Sequence, residues 1–436
     1  MGLNRLIFRV AGFAADIFYR RSMLGGEIPA EGPVLMVGNH PNGLVDPVLL
    51  ARATTRTVRF LGKAPLFDMP VIGSILRGAK ALPVYRAMDG ADTAQNRETF
   101  EAVFEALRAG DLICLFPEGR SHSEPSLERL KTGAARMALG GEAGCGFRSG
   151  LKIVPVGLSY RCKGRFRSRV AVWIGAPIGC HDLAELHARD ERAAALELTE
   201  RIAEGLRAVT IDLERWEDLP LIELAERIWR PGEGRRVPRI AAMADSLREL
   251  RRTRPREIER LTERVSAFAE RLERLGVEPD QLAVRYTPRL VAWFVARNVF
   301  ALLLGLPLAL LGTVLWALPF RLARPLARLG KPDPATLATA VILAGLVLFP
   351  LWYALLVAAA GVVLGWAAAL ATAVLTPVLG LLSLAYFEGR SQSLDDAAVF
   401  LRLVLRSGLK QRLVAQRDAL AAEIERLSRE VAPKPG

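Results

Sequence analysis

His40 and Asp46 stand six positions apart in the stretch GNHPNGLVDP, residues 38–47. A histidine held by a carboxylate has a fixed tautomer and a stabilised imidazolium. Such a base takes a proton from a hydroxyl and contributes roughly 10²–10⁴-fold to a rate. The same residues also read as plain architecture. Asp at a helix N-cap followed by Pro at the first helical position is a strong helix start, which Asp46 and Pro47 would supply. Six residues subtend about 600° on an ideal helix, so the turn itself must fold the two side chains together if they are to pair. From this stretch alone both readings stand.

A second group lies in LICLFPEGRSHSEPSLERLKTG, residues 112–133. Gly119 permits a tight turn, and Arg120, the hydroxyls of Ser121 and Ser123 and free backbone N–H groups suit a phosphate. Lys131 offers a further cation. Glu118 would repel a phosphate, so it reads as a residue that orients Arg120 or accepts a hydroxyl. His122 reads as facing solvent or packing locally. The ordinary alternative for the whole segment is a surface turn with solvated charges. Arg86 ends the short run ALPVYR, residues 81–86, where it would clamp a phosphate. IVPVGLSY, residues 153–160, is expected to line a channel without adding a titratable group. Its Pro155 suggests a sheet edge or a bulge.

These residues need a scaffold that brings loops together. Apolar runs at 33–38, 57–62, 81–85, 112–116, 153–159 and 169–175 are rich in Val, Ile and Phe and are followed by Gly, Pro or Asn. Helical spacing fills the stretches near 47–55, 65–78, 94–109, 126–141 and 182–210. This alternation predicts an α/β fold with a mixed, largely parallel sheet flanked by helices. Sites in such sheets gather in the loops beyond the strand ends. Pro41 keeps His40 out of helical dihedrals, and Gly43 allows a left-handed turn.

The 436-residue chain is basic, with 59 Lys+Arg against 46 Asp+Glu. The charge favours anionic partners without choosing among them. Nucleic acid fits only the net charge: aromatics are sparse in the basic helix at 246–275 and Glu neutralises much of it. Cys114, Cys145, Cys162 and Cys180 form no C-x-x-C pair, which fits a reducing compartment and argues against a zinc site. No metal-ligand cluster is visible. At the N-terminus, Arg9 and Asp16 interrupt the apolar stretch, so it makes a poor secretory segment. Leu6 breaks the myristoylation pattern. Leu6, Phe13 and Phe18 followed by Arg20 and Arg21 suggest a helix lying in a membrane interface, or equally an amphipathic helix packed on the domain.

From residue 211 to 288 the chain turns to charged helix. Leu261, Val265, Phe268, Leu272 and Leu275 step by four and three, an a/d seam that predicts a packed helical subdomain. Beyond it, residues 299–320 and 335–387 carry no charge. A membrane span needs about 20 apolar residues, so the second run is long enough for two. Arg321, Arg324, Arg328 and Lys331 follow the first run; Arg390, Arg402, Arg406 and Lys410 follow the second. Positive charge favours the cytoplasmic side for both flanks. That predicts a hairpin at 335–387 and a re-entrant or interfacial segment at 299–320, turning near Gly305 and Pro307.

Taken in order, N-H-P-N-G-L-V-D at 39–46, A-L-P-V-Y-R at 81–86, F-P-E-G-R-S at 116–121 and I-V-P-V-G-L at 153–158 resemble the four blocks of the glycerolipid acyltransferase superfamily. That superfamily includes lysophosphatidate and glycerol-3-phosphate acyltransferases. Five residues separate His40 from Asp46 where four are common, and Arg120 follows Gly119 directly. With S-H-x-x-P-x-L-x-x-L-K-x-G at 121–133, these features look like the fungal-type glycerol-3-phosphate and dihydroxyacetone-phosphate branch. The resemblance implies His40 as general base and Asp46 as its orienting partner. It implies Arg86, Arg120 and Lys131 as ligands of the acceptor phosphate, with Glu118, Gly119 and Ser121 shaping that site. The donor would be an acyl thioester of coenzyme A or of acyl carrier protein, with no cofactor and no metal. A lysophospholipid is the alternative acceptor. An inactive lipid-binding scaffold in the membrane is the alternative of another class. The expected organisation is an interfacial helix at 1–24, a catalytic domain at 25–210 and a charged helical region at 211–288. Membrane-embedded segments at 289–387 and a basic amphipathic helical tail at 388–436 would follow, with the catalytic domain cytoplasmic.

Overall fold

The structure, a computed structural model, describes residues 3–85, 96–211 apart from 123 and 125, 218–229, 236–275, 305–333, 336–404 and 407–431, with a few single positions between. Arg86 and Ser123 lie outside the described residues. The chain divides into two compact units. The first is residues 1–214 with 332–342; the second is residues 215–331 with 343–436.

The first unit is a seven-stranded sheet in the order β1-β7-β6-β2-β5-β3-β4. Its strands are β1 (Tyr19–Gly25), β2 (Val34–Gly38), β3 (Val58–Lys63), β4 (Leu82–Val84), β5 (Leu112–Leu115), β6 (Lys152–Tyr160) and β7 (Ser168–Ile174). All neighbours pair in parallel except β6 and β7, which are antiparallel. The helices are α1 (Leu3–Phe18), α2 (Val45–Ala51), α3 (Pro70–Gly78), α4 (Asn96–Arg108), α5 (Gly133–Ala143), α6 (Ala184–Arg189) and α7 (Glu191–Arg207). The central strands β2 and β5 are buried along their whole length, as expected when helices cover both faces of a parallel sheet. Leu35, Ile113, Leu139 and Leu198 fill one side of the sheet; Met36, Leu49, Cys114 and Val172 fill the other.

Six of these strands coincide with the apolar runs. The seventh, β1, is YRRSMLG and carries no such signature. It is an edge strand that pairs only with β7, so half of its side chains face water. It follows α1, which buries Ala15 and Phe18 in the sheet's core and leaves Val10 and Phe13 exposed. The N-terminal helix therefore packs on the domain and still presents an apolar edge. Pro155 lies inside the central strand β6, not at a sheet edge. Its neighbour β7 ends at Ile174 opposite Val156, and Gly175 donates to the Pro155 carbonyl at 2.8 Å before pairing resumes at Ile178. The missing N–H thus meets a local bulge, which is where a central proline costs least.

In the second unit α8 (Asp218–Trp229), α9 (Arg236–Thr253), α10 (Pro255–Leu275) and α14 (Ser407–Val431) share one apolar core. The predicted seam supplies Leu261, Val265, Phe268 and Leu272, all buried. Leu413, Leu420, Ile424 and Leu427 of α14 and Ile222, Ile228 and Leu247 of α8 and α9 are buried as well. Arg251 grips Asp218 with both terminal nitrogens at 2.5 and 2.6 Å. Arg254 pairs with Glu430, and Arg264 with Glu423.

Three further helices, α11 (Leu306–Leu329), α12 (Leu337–Leu364) and α13 (Trp366–Val404), carry long apolar stretches. Leu306–Leu329, Leu337–Leu364 and Trp366–Glu388 are each long and apolar enough to cross a membrane. The re-entrant segment predicted at 299–320 falls in part outside the described residues; its described part from Leu306 onward is continuous helix. Gly305 is the N-cap of α11 and Pro307 sits in its first turn, where a proline's missing N–H had no helical partner to lose. Tryptophans tie this group together: Trp316 Nε1 donates to the Thr376 carbonyl at 3.0 Å and Trp352 Nε1 to the Leu315 carbonyl at 2.7 Å. Val314, Val347, Leu351 and Val362 point outward at 66–87 % exposure, a surface that suits hydrocarbon and not water.

Candidate active site

The site grows from the C-terminal ends of β2, β5 and β6. Strand β2 delivers Asn39 and His40. The Asn39 carboxamide accepts from the Leu158 N–H at 2.7 Å and donates to the Leu158 carbonyl at 3.0 Å. This pair extends the sheet by one side chain and fixes the start of the loop. His40 donates its backbone N–H to Glu118 Oε1 at 3.1 Å, and its carbonyl accepts from the His122 N–H at 3.1 Å. The loops after β2 and β5 are thereby laced together.

The imidazole of His40 lies flat on Phe116, ring centroids 3.9 Å apart and planes within 9°. Its Nδ1 is 2.9 Å from Asp46 Oδ2. A carboxylate accepts only, so Nδ1 carries the hydrogen and Nε2 holds the free lone pair. The side chain is 17 % exposed, and Nε2 makes no bond to the described residues. Asp46 itself is completely buried. Its Oδ2 also accepts the Asn42 N–H at 2.6 Å, and Oδ1 accepts the Tyr160 hydroxyl at 2.5 Å. Three donors offset the cost of burying this charge, each worth about 1.5–3 kcal/mol when bound to an ion.

Asp46 does not cap α2. The helix starts at Val45, Leu44 is the N-cap without a side-chain bond, and Asp46 is the second helical residue. Pro47 is third, still within the turn whose N–H groups have no helical partner. From there the carboxylate reaches back four residues to Asn42, because Gly43 bends the chain at φ +44°. Gly43 donates to Ser121 Oγ at 3.1 Å, a second tie between the loops.

Glu118 is buried and serves these loops, not Arg120. Beyond the His40 N–H, its Oε2 accepts from the Glu128 N–H at 3.0 Å and from His122 Nε2 at 2.5 Å. His122 is thus packed in the site, with its side chain 9 % exposed, and its partner Glu118 pushes its pKa up. Gly119 turns at φ +78°, which sends Arg120 outward to pair with Glu128. The ammonium of Lys131 lies against Gly119, where a Cβ would come within 2.7 Å of Nζ. The structure therefore gathers His40, Asp46, Glu118, Gly119, Ser121 and Lys131, and directs Arg120 to the surface.

Three residues that the sequence did not single out complete the arrangement. Asn42, Phe116 and Tyr160 act through contacts that only the folded chain creates. Residues 153–160 do add a titratable group, since Tyr160 bonds Asp46. The site so built holds an imidazole oriented by Asp46 at Nδ1 and by Phe116 on one face, with Nε2 directed away from both. That geometry can accept a proton from a hydroxyl brought to Nε2.

Residues 24–159 match the Acyltransferase family model. Over 215 residues the chain is 29 % identical to glycerol-3-phosphate O-acyltransferase 2 of Saccharomyces cerevisiae, covering 46 % of this chain and 29 % of that enzyme. Glycerol-3-phosphate O-acyltransferase 1 of the same yeast is 34 % identical over 145 residues, 32 % of this chain and 19 % of that enzyme. The chain thus spans less than a third of the length of either relative. A 1-acyl-sn-glycerophosphate acyltransferase structure from Thermotoga maritima aligns with 49 % of this chain and 82 % of its own at 19 % identity, with a TM-score of 0.33. Over residues 24–159 the chain is thus similar to the acyltransferase family, and over part of its length to fungal glycerol-3-phosphate O-acyltransferases.

Proposed function

We propose that the chain acylates a hydroxyl of glycerol-3-phosphate or dihydroxyacetone phosphate, using an acyl thioester of coenzyme A or acyl carrier protein. The observation that carries this reading is the His40 Nδ1–Asp46 Oδ2 contact at 2.9 Å, set at strand ends in a domain similar to yeast enzymes of that name. His40 Nε2 takes the proton as the acceptor oxygen attacks the thioester carbonyl. Asp46 steadies the imidazolium so formed. The tetrahedral adduct expels the thiolate, which leaves with the proton from His40. One ester and one free thiol result, with no acyl-enzyme and no metal or cofactor. Lys131 and Arg86 hold the acceptor phosphate, Gly119 and Ser121 shape its site, and Arg120 joins them by leaving Glu128. Helices α11, α12 and α13 hold the chain in a lipid bilayer, and the catalytic domain is cytoplasmic.

The test supplies the detergent-solubilised chain with radiolabelled palmitoyl-CoA, or palmitoyl-acyl carrier protein, and each acceptor in turn. Labelled product is expected with glycerol-3-phosphate or dihydroxyacetone phosphate, unchanged by EDTA and abolished by His40→Ala. Transfer to lysophosphatidate alone would replace the acceptor. Transfer to none would leave a lipid-binding scaffold.

A further inference from the structure

The carboxylate behind His40 has a second side. Oδ2 faces the imidazole and the Asn42 N–H, while Oδ1 faces only the hydroxyl of Tyr160 among the bonds described, at 2.5 Å. Tyr160 is the last residue of β6 and lies one position beyond the family-matched segment. Its ring packs edge-on against Tyr19, the first residue of β1, at 5.3 Å between centroids. The Tyr19 hydroxyl accepts from Asn42 Nδ2 at 2.9 Å and donates to the Lys163 carbonyl. Asn42 in turn supplies its own N–H to Asp46. Two tyrosines that flank the family-matched segment in sequence thus close a buried cage around one carboxylate.

We propose that Tyr160 is a positioning residue of the acyl transfer: by occupying Oδ1 it keeps Asp46 fixed in rotation and directed through Oδ2 at His40. This rests on the reading of His40 as the base. Burial first, and then the charge of Asp46, hold the Tyr160 hydroxyl well above the ordinary phenol range. It therefore remains a donor near neutral pH, and it takes no proton in the reaction. Tyr19, His40 and Lys163 are the other titratable groups in the field of Asp46. Tyr19 is likewise held protonated by burial, so near neutral pH the cage is a fixed set of dipoles. Removing the Tyr160 hydroxyl leaves more of the carboxylate's negative charge to act on the imidazolium. The base then gives up its proton less readily, and the acid limb of the rate profile moves to higher pH.

Tyr160→Phe keeps the ring and its packing on Tyr19. In the solubilised full chain with palmitoyl-CoA and glycerol-3-phosphate, kcat is expected to fall about 10–100-fold, within the range that a positioned base supplies. KM for the acceptor should stay within about twofold, since no group that touches the acceptor is altered. The acid limb of kcat/KM should move to higher pH. Diethylpyrocarbonate modification of His40, followed by peptide mass spectrometry against pH, reads the same shift without any substrate. On an Asp46→Asn background, Tyr160→Phe should cost less than about twofold, because its route through the carboxylate is already cut. An unmoved His40 modification profile together with unchanged kcat overturns the role of Tyr160. So does a further tenfold loss on the Asp46→Asn background. Retained activity in His40→Ala instead overturns the mechanism on which the proposal rests.

Discussion

Glu118 joins three donors from three positions of the chain, so its replacement should act in two ways at once. Glu118→Gln puts an amide NH₂ where a carboxylate oxygen had accepted. At least one of the His40, His122 and Glu128 donors then loses its partner, costing about 1–3 kcal/mol. A lower thermal midpoint and a reduced kcat are expected together, measured on one preparation. The neighbouring His122 gives a pH signature. Its pKa is raised above the ordinary 6.5, chiefly by the bond to Glu118. Its charged form gives up a weaker bond, since Nδ1 accepts the Glu124 N–H at 3.2 Å. A group with a raised native pKa contributes stability that is complete below its unfolded value and fades as pH rises through the native one. The thermal midpoint gap between wild type and His122→Asn should therefore be widest below pH 6.5 and close towards alkaline pH; a gap that widens instead would refute the pairing. The thiols differ as sharply. Burial raises Cys114, and raises Cys180 to about 12, whereas Cys162 is exposed. Ellman's reagent should label Cys162 in the native protein and leave Cys114 and Cys180 untouched until it unfolds. Much of this site was legible as residue types at a spacing: His40, Asp46, Glu118 and Lys131 all announce chemistry. Asn42 and Tyr160 did not. An asparagine in a turn and a tyrosine ending a strand are ordinary, and only the closure of β1 and β6 around α2 gives them a shared carboxylate.

Among the elements, α2 shows how a correct local signal can shift by two residues. Asp-Pro does mark a helix start, yet the first turn tolerates Pro at several positions. Tertiary bonds from Asn42 and Tyr160 then chose which position Asp46 would take. Strand β1 was hidden for a different reason: a singly paired edge strand need not alternate strictly, and YRRSMLG carries its pairing in the backbone. The seam in α10 was plain from spacing, but the identity of its partners was not, because α14 arrives from more than a hundred residues away. Phe268 is 4 % exposed in that core. Phe268→Ala should cost about 3–5 kcal/mol, enough to open the bundle. Limited trypsinolysis should then cut within α9 and α10 while wild type resists. Equal resistance would mean that the seam does not hold the bundle.

For the whole molecule, the same bundle governs topology. α8, α9 and α10 precede the three apolar helices, α14 follows them, and the four share one core. Cysteines placed at Glu259 and Ala422, in a background lacking the four native ones, should therefore react with a membrane-impermeant maleimide from the same face of sealed vesicles. Labelling from opposite faces would break the bundle as described. The packing of α14 on α8, α9 and α10 amounts to a parity rule. Helices that share a core cannot be parted by a bilayer, so a chain that crosses one between Leu275 and Ser407 must cross it an even number of times. Three single passages by α11, α12 and α13 do not satisfy that rule; two or four do.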